Sequence, residues 1–138
     1  MHSNCIFCKI ARGEISCHKI YENKNFLAFL DINPVNKGHI LVIPKEHCET
    51  ILDCNERVLK GIVPVIKKVA RKVREVSDGF NICINNFEAA GQLIKHFHIH
   101  IIPRFKNDGL TIDKQRSLRY KKGEIEKFEK KLKIKTTE

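Results

Sequence analysis

The 138-residue sequence contains no apolar run that approaches the ~20 residues needed to cross a membrane as a helix. It also lacks a signal-like segment before its first cysteine, internal repeats and any linker-like stretch. These absences argue against a membrane protein, an exported protein and a repeat architecture. They favour a single cytoplasmic domain, and a chain of this length can bury roughly 68% of the surface that it exposes when unfolded.

Aromatic residues are also scarce, at 7% of the chain, although Lys and Arg outnumber Asp and Glu by 26 to 16. A surface that binds nucleic acid needs such positive charge, but it commonly adds a row of aromatic rings for base stacking. The basic residues instead crowd 60–74 and 104–135, where they alternate with apolar residues at helical spacing or lie in polar segments. We therefore expect a solvated basic surface that helps to attract small anionic substrates, and no nucleic acid partner.

The chain has six cysteines, and without a secretory signal we expect them to be reduced thiols. Cys5 and Cys8 form a C-x-x-C pair, which on its own fits a redox pair or no function at all. The remaining four are expected to be structural; they are Cys17, Cys48, Cys54 and Cys83.

The hydrophobic periodicity predicts an α+β fold with about five strands that can pair antiparallel and two or three helices. The strands are predicted at 19–21, 26–30, 39–43, 80–85 and 96–102. The helices are predicted at 6–10, 53–76 and 124–133. The middle helix is long and places apolar residues on one face and basic residues on the other, and Pro64 predicts a kink or a restart within it.

The segment from His96 to Pro103 alternates histidines with apolar residues at strict period two. On a β-strand, His96, His98 and His100 point to one face at steps of roughly 6.5–7 Å, and the residues between them face the core. Three imidazoles in a row cannot cheaply all be charged, so they fit beside an anion, beside a metal ion, or with different roles. The pattern alone leaves open a zinc site and a phosphate-handling site with a neutral imidazole nucleophile.

The pattern at 96–102 resembles the signature of the histidine triad (HIT) family. Collinear matches extend the resemblance over about residues 5–104; they lie at 5–10, 29–32, 38–45, 85 and 91–92. The resemblance implies one HIT domain over 1–138, with an antiparallel five-stranded meander, one long helix and short flanking helices. Residues 105–138 then form a basic C-terminal extension with an amphipathic helix.

Within this family, the sequence resembles the branch of bacterial-type histidine triad nucleotide-binding (Hint-like) proteins. These are homodimers that bind purine mononucleotides and pair the long helix and a sheet edge across a two-fold axis. We therefore expect a homodimer, and we expect the apolar helix face of 58–76 to lie at its interface.

The resemblance implies a hydrolase or nucleotidyl transferase that cleaves an AMP-type phosphoramidate, or a similar conjugate, at the α-phosphate without a catalytic metal. It makes His98 the nucleophile, which forms a nucleotidyl-histidine that water hydrolyses. One ring nitrogen of His98 is expected to donate to a main-chain carbonyl. His100 is expected to contact the phosphate oxygens, and His39 matches a fourth family histidine beside the triad. Two alternatives stay open: a dinucleoside polyphosphate hydrolase, and a nucleotide-sensing or interaction module with negligible turnover.

The resemblance also implies a nucleotide site. Asp31 follows an apolar strand, where its carboxylate can accept both ribose hydroxyls, and Ile32 lies beside it. The base is expected against Phe7, Ile15, Phe29 and Leu41. The phosphate-side loop is expected to include Asn85, Gly91, Gln92 and Leu93.

Within this loop, Gly91 suits a close backbone approach to an anion, and Gln92 can donate an amide hydrogen bond. Leu93 stands where many nucleotide-binding relatives carry a small hydroxyl residue, so the substrate preference is open at this point.

Some bacterial-type relatives hold a structural zinc ion near the triad, and the resemblance gives the C-x-x-C pair two histidine partners. Two thiolates and two imidazoles make a closed tetrahedral site. We therefore expect structural zinc, and no organic cofactor, with the ligands Cys5, Cys8, His47 and His96. Such a site would attach the N-terminal helix to the histidine strand.

Overall fold

The computed structural model describes residues 4–110 and 118–135 of the chain. Its elements are α1 (Ile6–Ala11), β1 (Lys19–Glu22), β2 (Phe26–Leu30), β3 (Ile40–Pro44), α2 (Glu56–Glu75), β4 (Gly79–Cys83), β5 (Ile99–Arg104) and α3 (Glu124–Leu132). A single 3-10 turn lies at Glu88–Ala90. The expected α+β fold with one five-stranded antiparallel sheet is confirmed.

The strand order is β1-β2-β3-β5-β4. The first three strands follow one another as in a meander, and α2 then carries the chain over the sheet to its far edge. The last strand returns to lie between β3 and β4, so the histidine-bearing β5 is central and pairs with β3 and β4. This position puts His100 directly opposite Leu41 of β3.

The strand ladder of β5 begins at Ile99, later than the predicted start at residue 96. The period-two alternation nevertheless extends upstream of it. Phe97, Ile99 and Ile101 are buried in the core between the sheet and α2. His96 and His98 are buried on the opposite face, where both rings approach Phe7.

A single unbroken helix, α2, runs through Pro64. The side chain of Asn55 caps its first turn by accepting from the Val58 N–H at 2.9 Å. Its buried residues are Val58, Ile62, Val65, Val69, Ala70 and Val73, and they pack on the sheet of the same protomer. The expectation that this apolar face forms the dimer interface is therefore wrong, because the face is already covered.

A second, smaller apolar cluster lies on the other face of the sheet, beneath α1. Its buried members are Phe7, Leu27, Phe29, Leu41 and Ile43. The sheet thus has one face closed by α2 and α3 and one face partly covered by α1, and the histidines lie on the second face. Within the described ranges, no helix is long and apolar enough to span a bilayer.

The structure pairs Cys48 and Cys54 in a disulfide, so the expectation of reduced thiols is wrong for these two residues. The carboxylate of Asp53 accepts the backbone N–H groups of Glu49 and Thr50 and closes a tight turn between the cysteines. This turn brings the two Cα atoms to 5.1 Å, within the range that a disulfide spans. The other four cysteines are free thiols.

Candidate active site and metal centre

A hydrogen-bonded pair of histidines joins β3 to β5. His39 Nε2 lies 2.9 Å from His100 Nδ1. The backbone N–H of Val35 donates to His39 Nδ1 at 3.0 Å, so that nitrogen carries no proton. The His39 proton is therefore on Nε2 and is donated to His100 Nδ1. In a neutral His100, the remaining proton is then on Nε2.

Both members of this pair are neutral at pH 7. Burial lowers the pKa of His39 to about 3, and the neighbouring His100 and His98 act in the same direction. Burial lowers the pKa of His100 to about 4, again with a contribution from His98. His100 Nε2 is buried and has no hydrogen-bond partner among residues 4–110 and 118–135. The pair therefore presents an uncharged N–H donor that can meet an oxygen of an anion.

The neighbouring His98 has the opposite arrangement of its ring nitrogens. Its Nδ1–H donates to the backbone carbonyl of His96 at 2.7 Å, as expected for the family nucleophile. The lone pair is therefore on Nε2, and burial lowers the pKa of the ring, which keeps that lone pair available. The His98 ring centroid lies 4.9 Å from that of His100 and 5.1 Å from that of Phe7. A nucleophilic nitrogen thus lies beside an N–H donor.

Asp31 follows β2 and belongs to the same group of side chains. Its Oδ2 atom lies 3.8 Å from His39 Nε2, and its Oδ1 atom accepts from the Asn33 N–H at 2.8 Å. Burial raises the pKa of this carboxyl, while the Asn33 bond lowers it. Asp31, His39 and His100 bring potential metal ligands within 4.8 Å of one another, but the two imidazoles use their facing nitrogens on each other.

The structure brings together three of the four residues expected around the base. Phe7, Phe29 and Leu41 lie in the apolar cluster beneath α1, and the two phenyl rings meet edge to face at 5.6 Å. Ile15 is 36% exposed and lines a neighbouring cavity of about 330 Å³ between α1, β1 and β2. Ile32 is 66% exposed, which places it at the rim beside Asp31.

The expected phosphate-side loop lies between β4 and β5. Gly91 has a φ of +95°, the left-handed conformation that favours glycine. A Cβ atom at that position would lie 3.7 Å from Nδ2 of Asn85, so these two residues are neighbours. Leu93 is 86% exposed and packs into no core.

Gln92 is buried and holds this loop in place. Its Nε2 donates to the carbonyls of Glu49 and Ile94 at 2.6 and 3.1 Å, and its Oε1 accepts from the Phe87 N–H at 2.7 Å. Both amide hydrogens are thus engaged within the protein. The structure gives Gln92 a part in shaping the loop, in place of the expected donation to an anion.

The four expected metal ligands meet between α1 and the segment before β5. The ligand atoms of Cys5, Cys8, His47 and His96 all lie within 4.8 Å of one another. Cys8 Sγ is 3.2 Å from His47 Nδ1, and Cys5 Sγ is 3.3 Å from His96 Nδ1. Tetrahedral zinc, with bonds of about 2.0 Å to nitrogen and 2.3 Å to sulfur, requires ligand separations of about 3.5 Å.

The protonation of His96 also fits a metal ligand. Its Nε2–H donates to the carbonyl of Pro44 at 2.8 Å, which leaves the Nδ1 lone pair directed at the cysteines. The Cys8 N–H donates to Cys5 Sγ at 3.4 Å, which holds that sulfur within the cluster. The donor set therefore fits zinc.

Two features of the site were not visible in the sequence. Val35 contacts His39 through its backbone N–H, so the identity of its side chain does not reveal the contact. Tyr120 accepts a hydrogen bond from the Gly38 N–H at 2.7 Å across 82 residues of chain. Only the glycine directly before His39 hints that another group approaches closely there.

Comparisons with known proteins agree with this fold and site. The HIT domain model matches residues 12–107. "Protein hit" of Bacillus subtilis is 48% identical over 109 residues, which cover 77% of this chain and 75% of that protein. "Adenosine 5'-monophosphoramidase hnt1" of Schizosaccharomyces pombe is 44% identical over 101 residues, covering 73% and 74%.

A solved structure is similar over nearly the whole length. The crystal structure of a zinc-bound histidine triad family protein from Mycobacterium smegmatis has a TM-score of 0.83 and 37% identity, and the match covers 94% of this chain and 91% of that one. Sequence and fold agree, and the chain belongs to the HIT domain family.

Proposed function

We propose that this protein is a purine nucleotide-binding hydrolase or nucleotidyl transferase that acts at the α-phosphate of a nucleotide conjugate. The proposal rests on one observation: His98 carries a lone pair on Nε2 while the adjacent His100 carries an N–H on Nε2, with both rings neutral. A phosphoryl centre needs a nucleophile and a donor to its oxygens. The monophosphoramidase name of the fission yeast relative supports the same reaction class.

In the proposed reaction, His98 Nε2 attacks the α-phosphorus, an N–P bond forms, and the bond from phosphorus to the leaving group breaks. The leaving group departs with the bond pair and takes up a proton. The positive charge that develops on the His98 ring is stabilised through Nδ1–H, which stays bonded to the carbonyl of His96. Water then attacks phosphorus and releases a proton to the solvent, which balances the proton that the leaving group took up. The N–P bond breaks, its electron pair returns to His98 Nε2, and the nucleotide leaves.

The other groups orient the substrate. His100 Nε2–H donates to a non-bridging oxygen, and His39 holds that tautomer by donating to His100 Nδ1. Asp31 accepts the ribose hydroxyls, with Ile32 at the rim. The base packs against Phe7, Phe29 and Leu41, and the loop with Asn85, Gly91, Gln92 and Leu93 covers the phosphate side.

The proposal includes structural zinc held by Cys5, Cys8, His47 and His96. The separations of their ligand atoms and the tautomer of His96 support it. When bound, zinc supplies a cross-link and no chemistry of the reaction. The cross-link joins α1 to the segment before β5. It would fix Phe7 of α1 against His98.

We further propose a cytoplasmic homodimer whose subunits each form one HIT domain over 1–138. The edge strand β4 supports this assembly, because Phe80 and Ile82 are 37% and 48% exposed on it. Apolar residues on an unpaired strand edge favour pairing with a second chain. This edge replaces the buried face of α2 as the expected contact.

Leu93 favours a second candidate substrate class, the dinucleoside polyphosphates. An amine leaves poorly unless a group protonates it, and the exposed Leu93 side chain has no proton to donate. A phosphate leaving group depends less on such a donor.

The test is His98→Ala, assayed on an adenosine phosphoramidate and on a diadenosine polyphosphate. Turnover is expected to fall by on the order of 10⁴-fold or more, because the covalent route is lost. Binding of AMP by calorimetry should persist, because the ribose and base contacts lie elsewhere. His18→Ala is the matched control, since His18 contacts Glu129 outside the site. A trapped nucleotidyl adduct that maps to a residue other than His98 would refute the assignment.

A further inference from the structure

The C-terminal segment that includes α3 holds the loop 34–38, which leads into His39. The Leu118 N–H donates to the carbonyl of Pro34 at 2.8 Å, and the Gly38 N–H donates to the hydroxyl of Tyr120 at 2.7 Å. These two bonds fix the two ends of a five-residue loop. We call residues 118–120 the clamp, because the Leu118 backbone N–H and the Tyr120 side chain together hold the loop 34–38.

Three further contacts strengthen the clamp. Lys37 forms an ion pair with Glu124 of α3 at 2.8 Å. Gly38 has a φ of +96°, and a Cβ atom there would lie 3.3 Å from the Phe128 ring, so α3 packs directly on this backbone. The Tyr120 and Phe128 rings also meet edge to face, with centroids 5.8 Å apart.

The clamped loop wraps around His39. The Val35 N–H donates to His39 Nδ1, and the His39 N–H donates to the carbonyl of Asn36 at 3.0 Å. The Val35 contact is the one that keeps the proton off His39 Nδ1. It therefore decides the direction of the hydrogen bond between His39 and His100.

We propose that Tyr120 is a positioning residue, which keeps the Val35 N–H on His39 Nδ1 and thereby sets the tautomers of both His39 and His100. If the Val35 donor moves away, a proton can occupy His39 Nδ1, and His39 Nε2 then accepts from His100 Nδ1–H. The reversed bond leaves a lone pair on His100 Nε2, which repels a phosphate oxygen in place of donating to it. The effect on rate rests on the proposed function; the effect on tautomers does not.

The test is Tyr120→Phe, which removes one hydroxyl and keeps the ring against Phe128. Histidine labelled with ¹⁵N reports which ring nitrogen is protonated, through long-range ¹H–¹⁵N correlation spectra. The wild type should show His39 and His100 protonated on Nε2. In the variant, the ratio of Nδ1–H to Nε2–H forms should rise about fivefold, the equivalent of losing one net hydrogen bond.

Glu129→Gln is the matched control, because Glu129 anchors the same helix to His18 without touching the loop. Lys37→Met gives a second, independent loosening of the loop that leaves Tyr120 intact. Lys37→Met should also raise the ratio of Nδ1–H to Nε2–H forms, by less than Tyr120→Phe does. Glu129→Gln should leave this ratio unchanged. A Tyr120→Phe variant that is folded by its thermal midpoint and has wild-type tautomers overturns the proposal.

Single-turnover hydrolysis of an adenosine phosphoramidate links the tautomers to chemistry. The chemical rate should fall by the same factor as the fraction of His100 that carries Nε2–H, while KM for the nucleotide stays unchanged. A loss of rate without a tautomer change also overturns the proposal. If Tyr120→Phe changes the tautomers but the wild-type protein does not turn over either substrate, the positioning role of Tyr120 is supported and the proposed function is refuted. Failure of the one proposal can therefore be distinguished from failure of the other.

Discussion

Neutral His39 makes the stability of the fold depend on pH, and His39→Gln tests this. Burial holds the pKa of His39 at about 3 in the folded state, against about 6.5 in an unfolded chain. Between these values the unfolded chain binds a proton that the folded one rejects. The free energy of unfolding therefore falls as the pH is lowered from 6.5 towards 3. At pH 4.5, which is 2 pH units below the pKa of the unfolded state, the free energy of unfolding is lowered by about 3 kcal/mol.

Urea unfolding at pH 7 and pH 4.5 measures this loss in the wild type and in His39→Gln. Glutamine keeps an amide group near the position of Nε2, but it does not titrate. The wild type should lose about 3 kcal/mol more than the variant between the two pH values. Metal release and carboxyl protonation occur in both proteins and cancel in the difference. Equal losses in the wild type and in His39→Gln would refute a buried neutral His39.

Three other substitutions test the remaining proposals. Leu93→Ser should raise hydrolysis of an adenosine phosphoramidate by on the order of 10²-fold and leave a substrate with a good leaving group unchanged, because the hydroxyl can protonate an amine. Equal effects on both substrates would show that residue 93 takes no part in protonating the leaving group. Metal analysis should find one zinc per protomer in the wild type and little in Cys8→Ser, and a folded, zinc-free wild type would contradict the metal site. Sedimentation should find a dimer of the 16.0 kDa chain and a monomer for Ile82→Lys; a monomeric wild type would contradict the assembly.

The sequence allowed prediction of those parts of the fold that depend on local periodicity. The alternation around Phe97 and Ile99 predicted which side chains enter the core, because each residue step on an extended chain reverses the face. The 3.6-residue period likewise predicted the long helix and its buried side. The partner of that side was not predictable, because an apolar stripe pairs equally well with a sheet of its own chain or with a second copy.

The contacts that set the tautomers of His39 and His96 could not be predicted, because the partner in each is a backbone group, of Val35 and of Pro44, that side-chain patterns do not reveal. Nothing in the sequence distinguishes the N–H of Val35 from that of its neighbours. The disulfide between Cys48 and Cys54 was missed for a related reason. The expectation of reduced thiols did not consider local geometry, whereas the turn closed by Asp53 determines whether the two sulfur atoms meet.

A row of identical side chains acquires three different chemical states in this structure, and each state follows from its hydrogen-bond partner. The Pro44 carbonyl takes the Nε2 proton of His96 and leaves Nδ1 for a metal. The carbonyl of His96 accepts the hydrogen bond from His98 Nδ1–H and leaves a lone pair on Nε2, the proposed nucleophile. The N–H of Val35, acting through His39, leaves His100 as a donor. The strand spacing supplies the three positions, and the hydrogen-bond partners around them decide which ring nitrogen of each histidine carries the proton.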